Sequence, residues 1–194
     1  MMEKLPTTPS QTIGPFFAYS LSAEQYGYDF NSIVNDKLVN EEVAGKRICI
    51  TGKVFDGAGN TIHDAMVEIW QADENGKYRA TAISEKNDGF TGFGRLGTGT
   101  TANHSFNFYT IKPAVINGQS PHINVILFMR GSLHRLTTRL YFSDEMNDND
   151  PLLNTIEPAR RKTLIANKKI VNGTTVYEFN IYMQGENETV FFEL

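Results

Sequence analysis

After Arg47 the chain alternates apolar and polar residues with a period of two, the pattern of strands with one buried face. Arg47–Phe55 is rich in β-branched and apolar residues and stops at a turn signal, Asp56-Gly57 with Gly59-Asn60. Residues 64–72 carry Met66, Val67, Ile69 and Trp70 and end at Asp73-Glu74-Asn75-Gly76. Residues 104–111 set Phe106 and Phe108 against Asn107 and Tyr109. In 121–129, Ile123, Val125, Leu127 and Met129 form one face, while His122, Asn124, Ile126 and Phe128 form the other. Leu136–Phe142 and 169–171 follow, Asn172-Gly173 signals a hairpin into 174–183, and 189–192 closes the chain.

Helical signals are sparse. Pro158 suits a first helical position and the spacing predicts a helix over 158–167. Ser22-Ala23-Glu24-Gln25 fits a capping box, so a short helix is expected near 23–27. Seven or eight short strands with so little helix predict an all-β protein: an antiparallel β-sandwich with long loops, an N-terminal arm and one or two short helices. Residues 1–45 read as the arm, broken by Pro6, Pro9 and Pro15, and 46–194 as the sandwich domain. The arm's aromatic residues, Phe16, Phe17, Tyr19, Tyr26, Tyr28 and Phe30, need a surface, in this chain or in a partner.

Composition narrows the function classes. With 194 residues the chain can bury a sizeable core. Its 18 Lys+Arg against 22 Asp+Glu argue against a nucleic-acid binder, which needs a basic face. No apolar run reaches the length of a membrane span, and the N-terminus lacks the core of a signal peptide, so a cytoplasmic protein is expected. A single cysteine, Cys49, excludes a disulfide framework and any multi-thiolate metal site. The four histidines, His63, His104, His122 and His134, are too far apart in sequence for HxH or HExxH pairs.

Several motifs read as structural on their residues alone. Gly92-Phe93-Gly94-Arg95-Leu96-Gly97 matches GxGxxG, yet no helix follows, so a flexible glycine-rich loop is expected. His122 and Asn124 share a strand face at the spacing of two metal ligands, but Asn is a poor imidazole substitute and the pair reads as polar lining or as a satisfied core pair. Tyr78 sits at a turn, Arg139 reads as structural, and Cys49 lies in a buried-strand context. Arg130 at a strand end is either a solvated charge or a carboxylate grip. Asp144, Glu145, Asp148 and Asp150 read as a solvated loop cluster.

Five segments together resemble the intradiol ring-cleavage dioxygenases: Gln11-Thr12-Ile13-Gly14-Pro15-Phe16-Phe17, Val67-Glu68-Ile69-Trp70-Gln71-Ala72-Asp73, Phe93-Gly94-Arg95, Ile111-Lys112-Pro113 and Pro121-His122-Ile123-Asn124. The N-terminal Gln-Thr-x-Gly-Pro and the C-terminal Gly185-Glu186-x-Glu188-Thr189-Val190-Phe191-Phe192 resemble the α-type chain of the family's heteromeric members. The resemblance implies an antiparallel β-sandwich in a symmetric assembly of α–β pairs. It implies non-haem Fe(III) held by the homologous β subunit, on two tyrosinates and two histidines. The implied reaction inserts O2 into protocatechuate to give 3-carboxy-cis,cis-muconate. The family's four ligand positions fall on Tyr78, Ile116, His122 and Asn124, so this chain alone is expected to hold no iron and to be inactive. Thr12, Gly14 and Pro15 match arm positions that wall the partner's pocket, and Arg130 matches an arginine near the substrate carboxylate. A transthyretin-like binding sandwich and a self-sufficient catechol-type dioxygenase are the competing readings.

Overall fold

The computed structural model describes residues 12–14, 16–79 and 89–193. Nine strands are present among them: β1 (Arg47–Phe55), β2 (Met66–Trp70), β3 (Phe93–Gly97), β4 (Ser105–Ile111), β5 (His122–Phe128), β6 (Leu136–Phe142), β7 (Ile165–Val171), β8 (Thr174–Glu178) and β9 (Ile181–Tyr182). They pair in the order β3-β2-β5-β6-β7-β8-β1-β4, with β9 on β1. Most pairs are antiparallel, but β6–β7, β1–β8 and β1–β9 are parallel. Strand β7 pairs with β6 at Ile165 and Ala166 and with β8 further along, so it crosses from one layer to the other. Val67, Ile69, Ile123, Val125 and Leu140 from one layer meet Ile48, Ile50, Phe106, Phe108 and Tyr177 from the other in a single core. The alternation seen in the sequence thus buries one face of each layer, and the sandwich expectation holds.

Several local expectations are corrected. The helix foreseen over 158–167 is one turn, α2 (Pro158–Arg161), and a 3-10 turn, Lys162–Leu164. Ile165 already belongs to β7, because Ala166 is wholly buried and pairs with Phe142. Near 23–27 there is only the 3-10 turn Glu24–Tyr26, and the Gln25 side chain bonds Gly97 and Thr100 instead of closing a capping box. A six-residue helix, α1 (Phe16–Leu21), stands within the segment read as a proline-broken arm. The closing 189–192 strand is a lone bridge, Thr137 to Phe192.

The glycine-rich stretch is the most informative correction, since 93–97 is the edge strand β3, paired along its length with β2. Its glycines admit other parts of the chain at close range. A Cβ at Gly94 would stand 2.6 Å from Leu38 Cδ1 and 3.0 Å from the Asn35 carbonyl oxygen, and one at Gly97 would stand 2.0 Å from the Tyr26 hydroxyl. Residues 35–40 lie in that space. Asn35 accepts from Arg95 N, Leu38 accepts from Thr91 N, and Tyr109 of β4 exchanges bonds with Asp36 and Leu38. The segment therefore stitches β3 to β4, the two ends of the strand order, and covers edges that would otherwise stay unpaired. Ala18, Ala23, Val34 and Leu38 are buried against this chain, whereas Phe16, Phe30 and Ile33 stay exposed.

The loop carboxylates are not simply solvated. Asp144 accepts from Lys112, Lys168 and Tyr177, and Lys112 also pairs with Glu145 at 2.5 Å. Burial alone would raise the Asp144 pKa, but the bonds from Lys168, Lys112 and Tyr177 outweigh it and hold the carboxyl well below the usual carboxylate range.

Two outcomes follow from this packing. Gly94→Ala is expected to lower stability by about 1–3 kcal/mol, the cost of overpacking a filled site, in a denaturant titration; protection of the Thr91 amide in hydrogen exchange should fall with it. A depressed folded-state pKa contributes stability above the unfolded pKa, near 3.9, that is lost as pH falls through the folded value. The wild-type unfolding midpoint should therefore drop as pH falls below about 4, and Asp144→Asn should flatten that dependence. A variant with the wild-type slope would remove Asp144 from the acid response.

Candidate functional site

Positions on three strands, β2, β5 and β6, build the floor of a cavity of about 390 Å³ on their outer face. The register aligns Trp70 with Asn124, Asn124 with Arg139, and Ile126 with Thr137. Because side chains alternate, residues 122, 124 and 126 share a face with 135, 137 and 139. Two turns complete the walls. Asp73 accepts from Asn75 N and Lys77 N, both at 2.9 Å, Gly76 takes φ +75°, and Ala72 bridges to Tyr78, so the turn directs Tyr78 back over the strand end. Ile116 and Gln119 bridge across Asn117 (φ 50°) and Gly118 (φ 77°), a two-residue turn with both central residues left-handed.

The four positions singled out as ligand-matching, Tyr78, Ile116, His122 and Asn124, all line this cavity. His122 is 1% exposed, and its Nδ1 donates to the Ser120 carbonyl at 2.8 Å, which assigns the proton to Nδ1 and leaves Nε2 as an acceptor. Burial holds this imidazole below its usual pKa range, and the Arg139 guanidinium adds to the effect. The Tyr78 hydroxyl is 3.4 Å from His122 Nε2 and accepts from Asn124 Nδ2 at 3.0 Å. Asn124 Oδ1 accepts from Arg139 Nε at 3.1 Å, and Arg139 Nη1 donates to Gln119 Oε1 at 2.8 Å.

This donor set does not fit ferric iron. One phenol and one imidazole remain, Ile116 offers no donor atom, and the Asn124 amide is committed at both ends. A guanidinium beside the spot repels a trivalent cation, whereas iron of that charge needs anionic ligands.

Behind the cavity stands Asp150, 0% exposed. It accepts from Ser120 N, Leu152 N and Leu153 N, each at 2.9 Å, and from the Tyr141 hydroxyl at 3.1 Å. Burial pushes the Tyr141 phenol up to about 12. Ser120 in turn carries the carbonyl that orients His122. Asp150 was expected to be solvated, and the structure corrects that. Arg139, expected to be structural, lines the cavity, as do Gln119 and Arg135, which the sequence reading did not single out. The Asn117-Gly118 turn pair is the signal that points to the Ile116 and Gln119 wall.

The other expected site residues lie elsewhere. Arg130 follows β5 by two residues, is not part of the cavity lining, and pairs through Nε with the Asp64 carboxylate. The next residue, Gly131, donates its N–H to Thr12 Oγ1 at 3.0 Å, so the arm and the Arg130 turn meet. The Gly14 carbonyl accepts from Phe17 N and starts α1. Pro15 lies outside the described residues. Cys49 is buried, and burial raises its thiol pKa, which fits an inert core residue.

Comparison with known proteins places this geometry. The family model described as Dioxygenase matches residues 21–185. A protocatechuate 3,4-dioxygenase alpha chain of Burkholderia cepacia is 45% identical over 197 residues, covering 100% of both chains. The corresponding alpha chain of Pseudomonas putida is 42% identical and covers 99% of this chain and 98% of its own. A protocatechuate 3,4-dioxygenase beta chain of Burkholderia cepacia is 31% identical, covering 89% of this chain and 79% of its own. Among solved structures, an intradiol ring-cleavage dioxygenase from Tetranychus urticae has a TM-score of 0.61 at 18% identity, over 80% of this chain and 88% of that one. That likeness concerns the fold. From the family match and the end-to-end relatives together, the chain belongs to the intradiol ring-cleavage dioxygenase family.

Proposed function

We propose that this chain is the α subunit of protocatechuate 3,4-dioxygenase, acting with a homologous β subunit that holds non-haem Fe(III). The observation that carries the reading is the end-to-end match to two α chains at 45% and 42% identity. The donor set at Tyr78, Ile116, His122 and Asn124 supports it, and speaks against a self-sufficient catechol-type enzyme. In this reading the α–β pairs form a larger symmetric assembly in the cytoplasm and convert protocatechuate and O2 to 3-carboxy-cis,cis-muconate. No helix among the described residues is long and apolar enough to cross a membrane.

This chain's contribution is substrate selection at the partner's pocket. Thr12, Gly14 and Pro15 supply wall, and Arg130 takes the substrate carboxylate. A carboxylate drawn out of water needs a compensating charge and donors. Asp64 holds the guanidinium at Nε, and its other nitrogens have no partner among the described residues. The Thr12–Gly131 bond ties the arm to the same turn, so wall and charge move together.

Two measurements test this reading. Metal analysis of the purified chain should find far less than one iron per chain and no tyrosinate-to-iron colour, with both gained when the β subunit is co-expressed. Stoichiometric iron in the chain alone would overturn the assignment of iron to β. In the α–β enzyme, Arg130→Ala should raise KM for protocatechuate by roughly tenfold to a hundredfold, the worth of one charge-assisted contact, with a smaller effect on kcat. A catechol without the carboxylate should be nearly indifferent. Equal losses on both substrates would make Arg130 a structural partner of Asp64 instead.

A further inference from the structure

The cavity that lacks a ferric donor set is well furnished for something else. Its two ionisable cations, Arg135 and Arg139, are opposed by no Asp or Glu in the lining, although the chain has 22 acidic residues against 18 Lys and Arg. Arg139 is held by Gln119 and Asn124, so its guanidinium is set in place before any ligand arrives. Arg135, four residues earlier on the same sheet face, is exposed and has no partner among the described residues. The walls are apolar and flat: the Trp70 and Tyr78 rings lie 4.5 Å apart, centroid to centroid, with Ile116 and Ile126 beside them. His122 Nε2, an acceptor, has only the long contact to Tyr78.

We infer that this cavity is a binding site for a hydroxylated aromatic carboxylate, which the chain holds without turning over. The carboxylate meets Arg135 and Arg139, the ring lies along Trp70 and Tyr78, and a ring hydroxyl donates to His122 Nε2. A carboxylate against two guanidiniums forms charge-assisted bonds, and a ring against aromatic walls adds apolar burial. A volume of about 390 Å³ is enough for a single benzene ring with its substituents. The inference rests on the reading that this chain carries no iron, since a ferric ion would occupy the same space. It adds a second anion site to the enzyme, separate from the Arg130 turn.

Trp70 is the only tryptophan of the chain and is 40% exposed at the cavity wall, so its fluorescence reports occupancy directly. The metal-free full chain is titrated with 4-hydroxybenzoate, phenol and inorganic phosphate. Saturable quenching by 4-hydroxybenzoate is expected, at least tenfold tighter than by phenol, with phosphate failing to compete at equal concentration. Arg139→Gln should weaken binding at least tenfold. Arg135→Ala, an exposed side chain whose loss disturbs no hydrogen bond among the described residues, should weaken it severalfold with the unfolding midpoint unchanged. No saturable change up to on the order of 10 mM, phenol binding as tightly, phosphate competing equally, or wild-type affinity in both variants would each overturn the inference. Iron analysis of the same sample separates the two readings. Iron in the chain overturns the subunit assignment and this inference with it, whereas a metal-free chain that ignores 4-hydroxybenzoate overturns this inference alone.

Discussion

A single buried carboxylate organises the functional face. Asp150 is removed from water and accepts from four donors in three separate places: the loop before β5, strand β6 and the 3-10 turn Leu153–Thr155 with the residue before it. An acidic group buried without such donors would cost several kcal/mol, so the donors must be held where they are. Ser120 is thereby anchored, its carbonyl sets the His122 ring, and Tyr141 is locked at the register position opposite His122. The cavity's shape is a consequence of that anchor.

A second constraint acts at the seam. The sheet path leaves two free ends, β3 and β4, and residues 35–40 bond to both sides of the gap. The glycines of β3 exist as close-approach positions for Leu38 and Tyr26, which is why a motif resembling a phosphate loop occurs with no phosphate chemistry behind it. The N-terminal segment therefore does two jobs. Part of it seals the sandwich, while Phe16, Phe30 and Ile33 remain exposed and Thr12 reaches the Arg130 turn.

In the cavity itself, one amide links the polar groups. Asn124 sits between Tyr78 and Arg139, donating to the first and accepting from the second. A site that suits a trivalent cation must be anionic; this one is lined by two guanidiniums, three side-chain amides and an imidazole among its polar groups, with no Asp or Glu among the described lining residues. Tyr78, Asn124, Arg139 and Gln119 form one hydrogen-bonded chain, which fixes the Arg139 guanidinium without a carboxylate partner among the described residues.

Much of the fold was legible in the chain because strand periodicity is local. The faces of β5, with Ile123, Val125 and Leu127 inward and His122, Asn124 and Ile126 outward, follow from alternation alone, and the Asn172-Gly173 hairpin follows from turn chemistry. The motif pattern pointed to the family and to Tyr78, Ile116, His122 and Asn124, which the fold does bring together. What alternation could not supply was which distant residues meet. Glycine spacing does not say whether a stretch is a loop or a strand admitting neighbours, so β3 was missed. Pro158 starts a helix wherever it stands, but only pairing of Ala166 with Phe142 ends it at one turn. Asp150 looks like any loop carboxylate until tertiary contacts place four donors around it, and Arg139 becomes a cavity residue only through its register with Asn124. Local pattern determined which faces are apolar; burial, register and charge pairing, which depend on residues far apart in sequence, decided what the polar faces do.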